Sequence, residues 1–354
     1  MYRNTYAEIN LKNIGNNVKK IINKYSNYKY YFGVVKADAY GHTDIKVVRE
    51  IINAGCNYLA VSSLEEAIKI RKHFINIPIL CVEPINLKYI DKCIKYNITV
   101  TISSKEYLYD LLKTNYSKLK VHLKLDTGMN RLGIKDKDDL NLIYKLLKEN
   151  NIYLEGIYSH ICWSDNKDFT LQQMNKLKCL LSDIQIKDIP IIHLPNSETL
   201  VNYPKLDIVN GVRLGIIMYG FTNDVDLDLQ STFSVVSQLI EIKQVHKGEI
   251  IGYSGTYEAK EDITIGIVPI GYADGITRVN TGRNVIINNR EYKIIGNICM
   301  DILMIKIDDS VKMDDKIYII KDVNHINAIA HYTKTIPYEV FCLISKRVPK
   351  KYKG

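Results

Sequence analysis

The chain predicts an α/β fold, a (β/α)8 TIM-type barrel followed by a mainly β C-terminal domain. Three observations lead there. Short apolar runs alternate with amphipathic stretches through the first two thirds of the 354 residues. Eight such runs precede residue 226, and eight strands alternating with helices close into a barrel. Beyond residue 226 the texture changes to strand-like alternation broken by turn residues.

The strand candidates, in order, are YYFGVVKA (30–37), NYLAVS (57–62), IPILCVE (77–83), NITVTIS (97–103), KVHLKLD (120–126), IYLEGIYSH (152–160), IPIIHLP (189–195) and LDIVNGVR (206–213). Helical patterns such as DIKVVREIINAG (44–55) and SLEEAIKIRKHF (63–74) fall between them. The second opens with a capping box, Ser63 followed three residues on by Glu66. In the last third, STFSVVSQLIEIKQV (231–245), ITIGIVPIGYA (263–273), NVIINNREYKIIGNI (284–298) and DILMIKID (301–308) read as strands, with one helical stretch near 324–332. The expected domains are therefore 1–226 and 227–354, with the first few residues free to join the second.

Composition narrows the function. Hydrophobic residues at 46% and charged ones at 25% are ordinary for a folded globular protein. No uncharged stretch runs beyond about a dozen residues, too short to span a bilayer. The opening MYRNTYAEINLKN has no apolar core and no small-residue cleavage site, so the expected location is the cytoplasm. Seven scattered cysteines without a C-x-x-C pair argue against a disulfide scaffold and a zinc ribbon, and no metal is expected. The net charge of +9 is spread along the chain apart from the terminal KRVPKKYKG, which speaks against nucleic-acid binding. Only 9 of the 48 basic residues are arginine, so each arginine carries more meaning than a lysine does.

Barrel chemistry collects at the C-terminal ends of strands. There the chain places Lys36, Tyr40, Gly41 and His42 in VVKADAYGH (34–42), Arg131 in KLDTGMNRLGI (124–134), His160 in IYSH, Asn196 and Ser197 in HLPNSE, and Arg213 in NGVRLGIIMYG (210–220).

VVKADAYGH, KLDTGMNRLGI and NGVRLGIIMYG, with GYSGTY (252–257), PIGYADG (269–275) and GNICMD (296–301), resemble the signature blocks of the alanine racemase family. The similarity runs in order from about residue 5 to about residue 350. It implies pyridoxal 5'-phosphate as cofactor, a homodimer with shared active sites, and a small amino acid as substrate. The implied reaction interconverts L- and D-alanine by a two-base mechanism, supplying D-alanine for peptidoglycan.

The resemblance assigns roles residue by residue. Lys36 holds the cofactor as a Schiff base and serves as one proton carrier; Tyr253, from the partner subunit, is the other. Racemisation needs an acid–base group on each face of a planar intermediate, which two different residues supply. A free lysine or tyrosine titrates near 10, about 4 kcal/mol too high for a base at neutral pH. One fixed positive charge about 4 Å away contributes about that much at an effective dielectric near 20. Arg213 faces the pyridine nitrogen; as a permanent donor it keeps that nitrogen unprotonated and disfavours a long-lived carbanion. His160 orients Arg213. Ser197, the amides of Gly215 and Ile216, and the Tyr40 hydroxyl hold the phosphate, in agreement with the usual barrel phosphate site after strands seven and eight. Asn196 joins the cofactor set.

Arg131 resembles the contact to the substrate carboxylate, and Lys124 a lysine that is carbamylated in many relatives and then holds Arg131. Met300 and Tyr272 of the partner complete the pocket, with Asp301 and Arg278 at its entrance. One departure stands out. The family has a tyrosine before the closing RVP, whereas this chain reads SKRVP and places Lys346 there. Loss of that aromatic wall keeps open a serine or broader-specificity racemase. A pyridoxal-dependent decarboxylase of the same barrel would put an acidic residue where Arg213 stands. A non-enzymatic pyridoxal-phosphate carrier would lack the residues after 226.

Overall fold

A computed structural model describes residues 3–354. The chain divides into two compact units. One holds Ile14–Ala39 and Asp44–Leu229; the other holds the N-terminal residues through Asn13, the short segment Tyr40–Thr43, and everything from Gln230. Strand β1 (Tyr6–Asn10) comes first in the chain and lies in the sheet of the second unit.

The first unit is the expected barrel. Its strands are β2 (Tyr30–Val34), β3 (Tyr58–Val61), β4 (Ile79–Cys81), β5 (Val100–Ile102), β6 (Lys120–Lys124), β7 (Tyr153–Tyr158), β8 (Ile191–His193) and β9 (Gly211–Leu214). They pair in the order β4-β3-β2-β9-β8-β7-β6-β5. Cys81 N donates to Thr99 O at 3.0 Å and Thr99 N to Ile79 O at 2.9 Å, which joins the two ends and closes the cylinder. All eight predicted runs hold one strand each. The intervening helices follow local rules. Leu64–Arg71 begins at the Ser63–Glu66 capping box with both of its bonds formed. Asp136 caps Lys137–Glu149 by accepting from Asp138 N and Asp139 N.

The barrel interior is aromatic and polar as well as aliphatic. The His193 ring is stacked between Phe32, 4.4 Å away, and Tyr158, 4.6 Å away, both at 15°. His122 meets His193 edge-on at 5.2 Å. Flat rings locked in this way have little rotational freedom, so any polar bonds they make are held in place.

The second unit is a nine-stranded sheet of β1 with β10 (Phe233–Ser237), β11 (Glu241–Val245), β12 (Ile263–Val268), β13 (Asn284–Ile287), β14 (Arg290–Ile295), β15 (Leu303–Ile307), β16 (Ile317–Ile320) and β17 (Lys350–Lys353). Their order is β11-β12-β15-β14-β13-β16-β10-β1-β17. The run 284–298 is a hairpin rather than one strand. Asn288 and Asn289, with φ of 49° and 62°, make the two-residue left-handed turn that suits strand twist. The run 231–245 also breaks, into β10 and β11, which are not neighbours in the sheet. Helix Val323–Tyr332 lies where the pattern placed it; Pro337–Leu343 was not expected, although its Pro337 is a favoured first-turn residue. Ile251, Ile263, Ile265, Ile295 and Met304 share a core under part of this sheet. Among the described residues, no helix is long and apolar enough to cross a membrane.

Candidate active site

Lys36 stands two residues beyond β2, and after it the backbone turns left-handed. Ala37, Asp38, Ala39 and Tyr40 have φ of 53°, 51°, 52° and 56°. For L-residues each costs about 1–2 kcal/mol, so the turn must be held from outside. Glu66 does part of this. Its Oε1 accepts from Ala37 N at 2.6 Å while Oε2 accepts from Ser62 N at 2.9 Å. The capping-box acid thus starts one helix and clamps the loop that presents Lys36. Lys69 pairs with Asp38 at 3.3 Å, and Ala39, fully buried, donates its N–H to Val35 O. The turn runs on into Gly41 at φ +75°, where a Cβ would lie 2.5 Å from the Phe341 carbonyl oxygen; no other residue fits there.

Arg213, on β9, is buried. Its Nη1 donates to His193 Nδ1 at 2.8 Å; its Nη2 donates to Ser159 O at 2.8 Å, Leu194 O at 2.8 Å and His160 Nδ1 at 3.1 Å. No described residue accepts from its Nε. Burial brings the guanidinium down to about 10, still charged at neutral pH. His160, expected to orient Arg213, does contact it. Burial, then the charges of Arg213, Lys124, Arg131 and Lys36, holds that imidazole well below the usual histidine range.

Because arginine only donates, His193 Nδ1 must accept, and its proton sits on Nε2. That nitrogen is 3.0 Å from His122 Nδ1, which must accept in turn. The proton of His122 then lies on Nε2, facing Glu155 Oε2 at 3.4 Å. Tyr58 and Thr99 hydroxyls donate to the same oxygen at 2.6 and 2.8 Å. Burial works to raise Glu155, but His122, Tyr58 and Thr99 outweigh it and bring the carboxyl to about 2. Both relay histidines are pushed below their ordinary range, chiefly by burial. One fixed order of hydrogens therefore runs from Arg213 through His193 to His122, whose Nε2 faces Glu155 without a formed hydrogen bond. Sequence reasoning missed His193, His122, Glu155, Tyr58 and Tyr158. The available signal was polar residues recurring inside otherwise apolar barrel strands.

Lys124 ends β6 and is buried, its Nζ 4.6 Å from the centre of the Tyr158 ring. Burial, then the charges of Arg213 and Arg131, lowers its ammonium to about 7. Arg131 lies in the loop after β6, shaped by Asp126, which accepts from Gly128 N at 2.9 Å and Asn130 N at 3.1 Å. Ser197 Oγ accepts from Gly215 N at 3.2 Å and from Ile217 N at 3.3 Å, so Ile217 joins Gly215 there beside the expected Ile216. Asn196 caps the helix Ser197–Asn202 through Thr199 N and donates to Ile161 O.

The remaining candidates belong to the β unit. Tyr253, Met300 and Tyr272 are 71%, 53% and 42% exposed. Their loops are tied together: Asn297 Nδ2 donates to Tyr253 O at 2.8 Å, Tyr272 N to Cys299 O at 3.0 Å, and Ala273 N to Met300 O at 3.0 Å. Arg347 bonds Asp301 at 2.6 Å. Arg278 opens a short 3-10 turn, Arg278–Asn280, and Lys346 is exposed. Tyr40 is buried against Tyr338, with ring centres 5.7 Å apart, and burial pushes its phenol up. His42 is a core residue here, bonded to Thr232 Oγ1 at 2.9 Å.

Fold and site together define a two-unit protein whose (β/α)8 barrel gathers a lysine, two arginines and a paired histidine at its strand ends. Comparison with known proteins gives this class its family. Residues 9–223 match the model of the alanine racemase N-terminal domain, and 232–352 that of the alanine racemase C-terminal domain. Alanine racemase 1 of Bacillus subtilis (strain 168) is 34% identical, over 99% of this chain and 93% of its own. The crystal structure of alanine racemase from E. faecalis superposes with a TM-score of 0.93 at 31% identity, covering 99% of both chains. That of alanine racemase from Bacillus anthracis with bound L-Ala-P gives 0.92 at 31%, covering 100% of this chain and 96% of that one. The chain belongs to the alanine racemase family and is an isomerase.

Proposed function

We propose that the protein racemises alanine with pyridoxal 5'-phosphate, using Lys36 of one subunit and Tyr253 of a second in a homodimer. The observation that carries the cofactor reading is Arg213. Five bonds engage its Nη atoms, and Nε is left to donate to a ring nitrogen that can only accept. Ser197 Oγ, fixed by accepting from the amides of Gly215 and Ile217, keeps its own hydroxyl hydrogen to donate beside the Ile216 amide after the seventh and eighth barrel strands, and Tyr40 adds a hydroxyl; such donors suit a phosphate. When bound, the cofactor draws electrons from the substrate's Cα and makes its proton removable.

The chain's own residues then divide the work. The Lys36 amino group anchors the cofactor and carries a proton on one face of Cα. The Tyr253 hydroxyl carries it on the other, so a proton taken from one side is returned from the opposite one. Arg131 orients the substrate carboxylate, with Lys124 behind it. Tyr272 and Met300 wall the pocket from the second subunit, Asp301 and Arg278 line its approach, and Lys346 stands where the family has an aromatic wall. The exposure of Tyr253, Tyr272 and Met300 supports this division, since side chains reserved for a partner's site stand clear of their own unit. The product, D-alanine, fits a cytoplasmic role in supplying peptidoglycan.

The test is racemisation by purified protein with pyridoxal phosphate, offered L-alanine and L-serine separately. D-alanine should form at least tenfold faster than D-serine, and Lys36→Ala should abolish both along with the cofactor's bound absorption band. Equal or faster D-serine formation would show that Lys346 has changed the specificity.

A further inference from the structure

The β unit buries a charge that its own residues do not answer. Arg283 is only 5% exposed, in a chain that uses arginine nine times. Its Nε donates to Asn280 Oδ1 at 2.7 Å, and its Nη1 to Asn284 O at 2.9 Å and Ile319 O at 3.1 Å. All three acceptors are neutral. Nη2 is sealed from solvent and has no acceptor among the described residues. Burial brings this guanidinium to about 10, so it remains charged at neutral pH. Its charge is felt nearby: burial and then Arg283 hold His325 down to about 4, leaving that ring neutral as well.

Arg283 also lines a cavity of about 190 Å³. A water takes up about 30 Å³ in the liquid, so the space holds a small molecule rather than a single solvent. The other polar groups on its wall are Thr277, Asn280, Thr333, Thr335 and Glu339, set among aliphatic side chains. Glu339 is exposed and takes the Thr335 hydroxyl as its donor. Buried charges in proteins are ordinarily paired, because an unpaired one is strongly disfavoured in a low-dielectric interior.

We propose that this cavity binds a small oxyanion or carboxylate, with Arg283 as its cation and the threonine hydroxyls as further donors. Entry of the anion requires the guanidinium to turn its unclaimed Nη2 toward the cavity. The site uses none of the residues assigned to racemisation.

The experiment is calorimetric titration of holoenzyme, whose cofactor fills its own phosphate cradle, with inorganic phosphate and separately with acetate. Chloride keeps ionic strength constant. Saturable binding of one anion per chain is expected, and the stronger of the two ligands tells oxyanion from carboxylate. Arg283→Met should weaken it at least tenfold with racemisation unchanged, and Thr333→Val should weaken it severalfold while keeping the guanidinium. Absence of saturable binding, or equal binding by Arg283→Met, overturns the proposal. So does a destabilisation by Glu339→Gln that Arg283→Met cancels, because Glu339 would then be the counter-ion.

Discussion

Lys124 illustrates what burial does to one side chain. Its ammonium falls from the usual 10.5 to about 7 because it is out of water and beside Arg213 and Arg131. Between about pH 7 and 10.5 the unfolded chain binds a proton that the folded chain does not. The contribution to stability therefore rises with pH through that window, and the full penalty applies below it. Denaturant unfolding in bicarbonate-free buffer should show this rise, and Lys124→Met should flatten it. A neutral amine near pH 7 is also what carbon dioxide needs to form a carbamate. Native mass spectrometry in bicarbonate should find one added carbon dioxide per chain, lost in Lys124→Met. At this scale the sequence was informative about identity and poor about state. VVKADAYGH and Arg213 could be picked out as residues, but the proton on Lys124 depends on burial and on charges brought from β9 and the loop after β6.

Among the elements, two local arrangements deserve separate tests. The left-handed turn at 37–40 ends at Gly41, where a side chain would meet the Phe341 carbonyl oxygen. Gly41→Ala should cost roughly 2–4 kcal/mol in unfolding measurements, since it adds strain to a clash. The relay from Arg213 to Glu155 sets histidine tautomers by who can accept. In Glu155→Gln the amide can present an N–H to His122 and reverse the order, setting donor against donor further up. Nitrogen-15 spectra of the histidines should shift for both His122 and His193, with loss of about 1–3 kcal/mol in stability and severalfold in kcat. Unchanged histidine spectra would show that no such order exists. The capping box at Ser63 and Glu66 was readable because it is a four-residue pattern. The second task of Glu66, on Ala37, was not, because those residues are 29 apart.

For the whole molecule, the prediction concerns two copies of the chain. Lys36→Ala and Tyr253→Phe proteins should each be inactive. Mixed under conditions of confirmed subunit exchange, they should recover up to about a quarter of wild-type activity, since half the dimers then hold one intact site of two. No recovery would place both proton carriers in one chain.

The sequence by itself determined the eight barrel strands, their alternation with helices, the change to β structure in the last third, and the loops that carry Lys36, Arg131 and Arg213. Each rests on periodicity or a short motif, which are properties of neighbouring residues. Only the tertiary structure decided that His122 and His193, 71 residues apart, share a proton order, that Arg283 lies buried without a carboxylate, and that β1 crosses into the second sheet. The reason is physical. Burial, tautomer and pKa depend on what lies within a few ångströms in space, and closing a sheet brings together side chains that no local pattern links.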